Sequence, residues 1–271
     1  MKLSISNLAW GLTPLEEITP QLKAAGIDGI EIAPTVLWPD LAKVSMEEVA
    51  AVRKFLEDEG LFVSGIQSLL FGHPEFQLFD SSCWEEMLEH LRMVIRIGGI
   101  LGADVAVFGS PKNRVKGLMS TEIAYQQAKV FFSQLVEVLQ ENEIILTLEP
   151  NAPDYGGDFL VNYNEVLRLS KLIDSTYIAP QIDTGCLWMV NEDPLASFLD
   201  FTPHHIHLST PHLGPVPGNY NFKNLLQAAK DRDFKGWFVI EMLQENPDNY
   251  SGVIQSAKWL VEQAKKVSKN E

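Results

Sequence analysis

Four side chains able to ligate a hard cation close four separate apolar runs of this chain. Glu149 ends "IILTLE", Asp183 ends "YIAPQID" just before Thr-Gly, His207 sits in "HHIHLS", and Glu241 ends "WFVIE". Three carboxylates and one imidazole make an oxygen-rich set, which suits Mn²⁺, Mg²⁺ or Co²⁺ better than the thiolate sites of structural zinc. Brought together without a cation, the acids would repel one another. Taken singly, each has a plainer role. Asp183 reads as a turn or cap residue before glycine, Glu149 as an exposed strand end, and His207 as a structural histidine beside His204 and His205. Glu241 fits the plain reading least, because an unpaired carboxylate ending a buried run is costly. The shared placement of all four favours a metal site.

The elements that must position them can be read from two alternating periods. Short apolar runs occur at 2–8, 28–33, 61–70, 104–108, 144–149, 177–183, 205–209 and 237–241. Between them lie stripes at helical spacing: Trp84, Met87, Leu88, Leu91, Val94 and Ile95; Ala124, Ala128, Phe131, Leu135 and Val138; Val253, Ala257, Leu260 and Ala264. Ser45 before "MEE" and Asp193-Pro194 are helix-start signals. About eight strands alternating with about eight helices predict an α/β fold, a single (β/α)₈ TIM barrel over 1–271, in preference to an open doubly wound sheet. In such a barrel the active site lies at the C-terminal ends of the strands. Glu149, Asp183, His207 and Glu241 end runs five to eight, so they would converge from adjacent strands on one half of the mouth.

Composition narrows the function classes. The 271 residues carry a net charge of −15, which disfavours a nucleic-acid partner. No apolar stretch is long enough to span a bilayer, and "MKLSISNLAW" alternates polar with apolar residues instead of forming a signal-peptide core. The two cysteines, Cys83 and Cys186, make neither a disulfide framework nor a metal spacing, which fits a cytoplasmic protein. A small-molecule ligand, no nucleic acid and no membrane are therefore expected; self-association into a homo-oligomer stays open.

"LEP", "QIDTG", "HIHLS" and "GWFVIEM", in this order, together with "KLSISNLAW" and "AAGIDGIEIAP", resemble the xylose-isomerase-like TIM-barrel superfamily. More narrowly they resemble its sugar phosphate isomerase/epimerase group, which includes tagatose epimerases, hydroxypyruvate isomerases and inosose dehydratases. The resemblance implies that Glu149, Asp183, His207 and Glu241 bind a divalent metal, most often Mn²⁺ with Co²⁺, Mg²⁺ or Zn²⁺ as alternatives. It further implies that Glu149 and Glu241 are the catalytic acid/base pair. The substrate would be a sugar, sugar phosphate or polyol, isomerised or epimerised by proton transfer through a metal-stabilised enediolate.

This chain also departs from the group. Cys186 stands where Asp-x-x-His is common, Ser209-Thr210-Pro211 where Lys-Asp often follows the metal histidine, and "HLGPVPGNYNF" lacks an arginine that several epimerases carry. Further substrate-binding candidates at strand ends are Trp10, Glu31, His73, Cys186, Trp188 and His212. Core packing is the alternative for Trp188, and a paired cation at the mouth for Glu31. "GADVAVFGSP" ends run four without an ionisable group, so that quarter of the mouth is expected to take no part in chemistry. Two other classes compete with an isomerase: a metal-dependent lyase or AP-endonuclease-like phosphodiesterase on the same barrel, and a non-catalytic ligand-binding barrel.

Overall fold

A computed structural model describes residues 1–243 and 250–268. Its strands are β1 (Lys2–Ser6), β2 (Gly29–Ile32), β3 (Phe62–Ile66), β4 (Val105–Phe108), β5 (Ile145–Leu148), β6 (Ile178–Pro180), β7 (Ile182–Asp183), β8 (His205–Leu208) and β9 (Trp237–Ile240). All pair in parallel in the order β6-β5-β4-β3-β2-β1-β9-β8-β7. The two ends of that order, β6 and β7, belong to one stretch of chain parted by Gln181. The sheet thus returns on itself as a nearly closed TIM barrel, with helices between the strands. The single strand expected over 177–183 is split. Pro180 has no N–H with which to extend the ladder, so the chain pairs with β5 up to Pro180 and with β8 from Ile182. The third run also stops early, at Ile66, and Ser68 turns away with φ of 58°.

Strand alternation decides which side chains enter the barrel. Leu146, Leu148, Ile206, Leu208, Phe238 and Ile240 face outward into the continuous apolar core under the helices. Their neighbours of opposite phase, Thr147 and Glu149, His205 and His207, Val239 and Glu241, therefore point inward. The interior layer beneath the mouth is polar: Ser4 Oγ meets Ser64 Oγ at 2.7 Å, and Thr147 Oγ1 donates to Gln181 Oε1 at 2.6 Å. Trp237 fills the opposite end, its indole N–H donating to Asp104 at 2.6 Å.

The helices follow the sequence signals closely. Ser45 and Glu48 form a reciprocal capping box at Met46–Asp58, and Asp193 caps Pro194–Asp200 through the Leu195 N–H. The stripe from Ala124 to Val138 is not one helix; it breaks between Thr121–Ser133 and Val136–Glu141. Among the described residues no helix is long and apolar enough to cross a membrane.

Candidate metal centre and active site

Glu149, Asp183, His207 and Glu241 converge at the C-terminal end of the barrel, each offering one ligand atom within 4.8 Å of the others. All four are buried, with exposures from 0 to 7 %. Four backbones deliver them: the residue after β5, the end of β7, the interior of β8 and the residue after β9. His207 Nδ1 is the hub. It lies 2.8 Å from Glu149 Oε1, 3.1 Å from Glu241 Oε2 and 3.8 Å from Asp183 Oδ2. Yet Nδ1 makes no hydrogen bond of acceptable geometry and stands as an orphaned buried polar atom.

The other ring nitrogen explains this orientation. His207 Nε2 donates to Glu31 Oε1 at 3.2 Å, and Glu31 also accepts from His205 Nε2 at 2.7 Å and Gln67 Nε2 at 2.6 Å. Burial alone would raise the Glu31 pKa, but the two histidines and their hydrogen bonds hold it well below the usual carboxylate range. An anionic Glu31 keeps a proton on Nε2 and turns Nδ1 toward the three acids, where it would give its lone pair to a cation that displaced its proton. A carboxylate behind a ligating histidine is a recurrent support of metal sites.

Each acid is pinned as well. Glu149 accepts from Gln181 Nε2 at 3.0 Å and from Asn151 Nδ2 at 2.9 Å. Asn151 is in turn held by the fully buried Arg114, whose Nη2 donates to Asn151 Oδ1 at 2.6 Å and to the Glu149 carbonyl at 2.9 Å. Burial lowers the Arg114 pKa to about 10, opposed by Glu149. Gly109 makes room for this arrangement, since a Cβ there would sit 2.5 Å from Glu149 Oε2. Asp183 takes the Cys186 N–H at 2.6 Å, and Ser209 Oγ lies 2.8 and 2.9 Å from its two oxygens.

The protonation pattern is that of acids crowded without a counter-charge. Burial, then Glu149 and Glu241, pushes Asp183 up to about 7. Burial likewise raises Glu241, although His207 opposes it. Burial would lower His207, but Glu31, Glu241 and Glu149 outweigh it and hold the ring well above its ordinary value. A divalent cation would replace the protons that now offset this charge. Donors about 2.0–2.2 Å from one ion lie about 3 Å apart when adjacent and about 4.4 Å when opposite, so the cluster has the compass of a single hard cation. The orphaned Nδ1 and the oxygen-rich donor set both fit such an ion.

The matched family model is the xylose isomerase-like TIM barrel, over residues 20–263. The chain belongs to this family. Comparison with curated proteins gives no match. Among solved structures, the chain is similar to 3-keto-D-glucoside 4-epimerase from E. coli, with 17% identity, 97% of this chain and 99% of that one covered, and a TM-score of 0.76. It is similar to D-psicose 3-epimerase from Clostridium cellulolyticum H10 at 12% identity, 98% and 99% coverage, and TM-score 0.78. An AP endonuclease, family 2, from Brucella melitensis matches at 15%, 97% and 99%, with TM-score 0.77. At these identities the likeness is one of fold.

A cavity of 180 Å³ opens onto the acids and is also lined by Gln67, Ser110, Asn151, Tyr155 and Cys186. Of the substrate-binding candidates, only Cys186 reaches it directly. Glu31 lies behind His207, fully buried, where it can orient the ring but meet no ligand. Trp10 is 1% exposed and packs in the apolar core instead of walling the mouth. Trp188 is half-buried and stacks on Tyr220 at 4.4 Å. His212 is exposed, 6.3 Å from the Tyr155 ring, and His73 lines a neighbouring cavity while pairing with Glu75. The end of β4 lines the site cavity with Val107, Gly109, Ser110 and Pro111 and brings no ionisable side chain to it. A larger cavity of 480 Å³, lined by Met1, Asp28 and Phe234, lies at the other end of the barrel and holds none of these groups.

Gln181, Asn151, Arg114, Gln67 and Tyr155 were invisible as site residues in the sequence. The available signal was position: Gln181 and Asn151 each stand two residues from a ligand candidate, on the same strand phase. Arg114 and Tyr155 come from loops and gave none.

Proposed function

We propose that the protein is a divalent-metal-dependent isomerase or epimerase of a sugar or polyol. One observation carries the reading: a buried imidazole nitrogen, without a hydrogen bond and fixed in orientation by Glu31, faces three carboxylates at the floor of a barrel-mouth cavity. Glu149, Asp183, His207 and Glu241 would hold the ion. Bound there, a divalent cation supplies a Lewis acid that polarises a carbonyl and makes the adjacent C–H acidic. Mn²⁺ or a similar hard ion suits the donor set best.

The chain's own groups then move the proton. Glu149 and Glu241 reach His207 from β5 and β9, on either side of the Asp183–His207 pair, and so address a substrate from two directions. Glu149, clamped by Gln181 and Asn151, takes the proton from the carbon beside the carbonyl. Glu241 returns one to the other face of that carbon for epimerisation, or to the neighbouring carbon for isomerisation. Burial and the narrow cavity keep bulk water from these carboxylates. The names of the structural neighbours, two of them sugar epimerases, agree with this chemistry.

The test is solvent exchange. Mn²⁺-loaded protein is incubated with ketohexoses in heavy water, and deuterium beside the carbonyl is followed by NMR. The wild type should incorporate label with at least one of them. Glu149→Gln and Glu241→Gln should each lose about 10²–10⁴-fold in turnover. Near-wild-type turnover in either variant would remove that residue from proton transfer.

A further inference from the structure

The site cavity does not end at the acids. It shares Ser68, Ser110, Pro111 and Tyr155 with a second cavity of 430 Å³, more than twice its own 180 Å³. Small-molecule pockets commonly run to about 300–1,000 Å³, so the acid-lined pocket alone is small and the pair together is not. The character changes along the way. The inner pocket is acidic, whereas the outer one is walled by Leu70, Phe71, Pro74, Pro111 and Tyr155.

The outer cavity is built, not incidental. Its floor joins the loop after β3 to the loop after β4 by several hydrogen bonds. The buried Asn113 side chain donates to the His73 and Phe76 carbonyls at 2.8 and 2.7 Å, Leu78 N–H to the Asn113 carbonyl at 2.8 Å, and Gln77 Nε2 to the Lys112 carbonyl at 3.2 Å. His73 stacks on Phe76 at 4.9 Å. Upon this rigid floor Phe71 stands 69% exposed, an aromatic face with nothing packed over it and a cavity beside it. Aromatic faces stack well against the apolar faces of rings.

Resting on the function proposed above, we infer that the substrate is a two-ring molecule: a ketose that keeps its own carbonyl, with a second sugar or an aryl group joined to one of its other hydroxyls. The reacting ring lies at the acid cluster, the linkage passes Tyr155 and Ser110, and the distal ring occupies the outer cavity against Phe71. The mainly apolar wall selects a ring over a phosphate, although Lys112 lies at the edge.

Titration calorimetry on the Mn²⁺-loaded full chain tests this with fructose, tagatose and psicose, reducing disaccharides in which a second sugar is linked to a hydroxyl of each ketose away from its anomeric carbon, the matching phenyl ethers, and their 6-phosphates. At least one phenyl ether or disaccharide should bind about tenfold or more tightly than its parent sugar. Phe71→Ala should erase that gain and leave the parent's affinity unchanged; the exposed position makes misfolding an improbable complication, and a thermal melt checks it. Equal affinity for a ketose and its two-ring derivatives would overturn the inference while leaving the proton-transfer reading intact. A gain confined to the phosphates would also overturn it. No binding by any member, together with no deuterium exchange into ketohexoses, would overturn both.

Discussion

At the residue scale, His207 is the group on which the site turns, and Glu31 is what turns it. Glu31→Gln keeps the shape but removes the anion that accepts from Nε2. The change should weaken metal binding about 10–100-fold with the fold retained, measured by competition with a chelating dye. Unchanged affinity would show that Glu31 only fills space. The pH dependence follows from the same groups. A carboxylate whose folded pKa is raised, as at Asp183 (about 7) and Glu241, favours the folded state in its protonated form. Stability is therefore lost as pH climbs from the unfolded value near 4 through the folded one. His207, also raised, contributes stability below about pH 6.5 that is lost as pH passes its folded value. Glu31, held low, has made its full contribution by about pH 6. Metal-free protein should thus melt lower at pH 7.5 than at pH 5.5, and the gain in midpoint on adding Mn²⁺ should grow over that interval. A flat or reversed trend would contradict the crowding of these acids.

At the element scale, parallel strands of period two aim alternate residues into the barrel, and a few glycines allow the aim to be kept. Gly109→Ala would bring a methyl group 2.5 Å from Glu149 Oε2. That carboxylate is pinned by Gln181 and Asn151 and cannot yield without leaving its place. The variant should cost about 1–3 kcal/mol of stability and lose at least about tenfold in metal affinity; wild-type affinity would show that the carboxylate moves freely. The barrel was legible because apolar runs and helical stripes alternate throughout the chain, and the clustering of Glu149, Asp183, His207 and Glu241 because chemistry-bearing residues ended four of those runs. Less was legible where a residue's meaning comes from another strand. Gln181 matters through Thr147 and Glu149, Ser209 through Asp183, and Glu31 through His207, contacts that no local pattern encodes. Trp10 looked like a mouth residue because it follows β1, but the chain turns it into the core. The silent end of β4 proved to be part of the cavity because small residues there leave the space.

At the scale of the whole molecule, the barrel gathers four buried ionisable groups from distant parts of the chain, and the proposed cation would offset their charge. Metal should therefore stabilise the fold by RT ln(1 + [M]/Kd), about 2.7 kcal/mol at a hundredfold excess over Kd. For a chain of this size that is several degrees in melting midpoint; no shift between chelated and fully reloaded protein would argue against a tight site. The central claim is that one divalent ion sits among Glu149, Asp183, His207 and Glu241. Anomalous diffraction from crystals grown with Mn²⁺ reads it most directly. The account predicts a single strong peak at the barrel mouth, about 2.0–2.5 Å from one atom of each of the four side chains. A peak elsewhere, or four side chains too far apart to share an ion in well-ordered crystals with excess Mn²⁺, would contradict it.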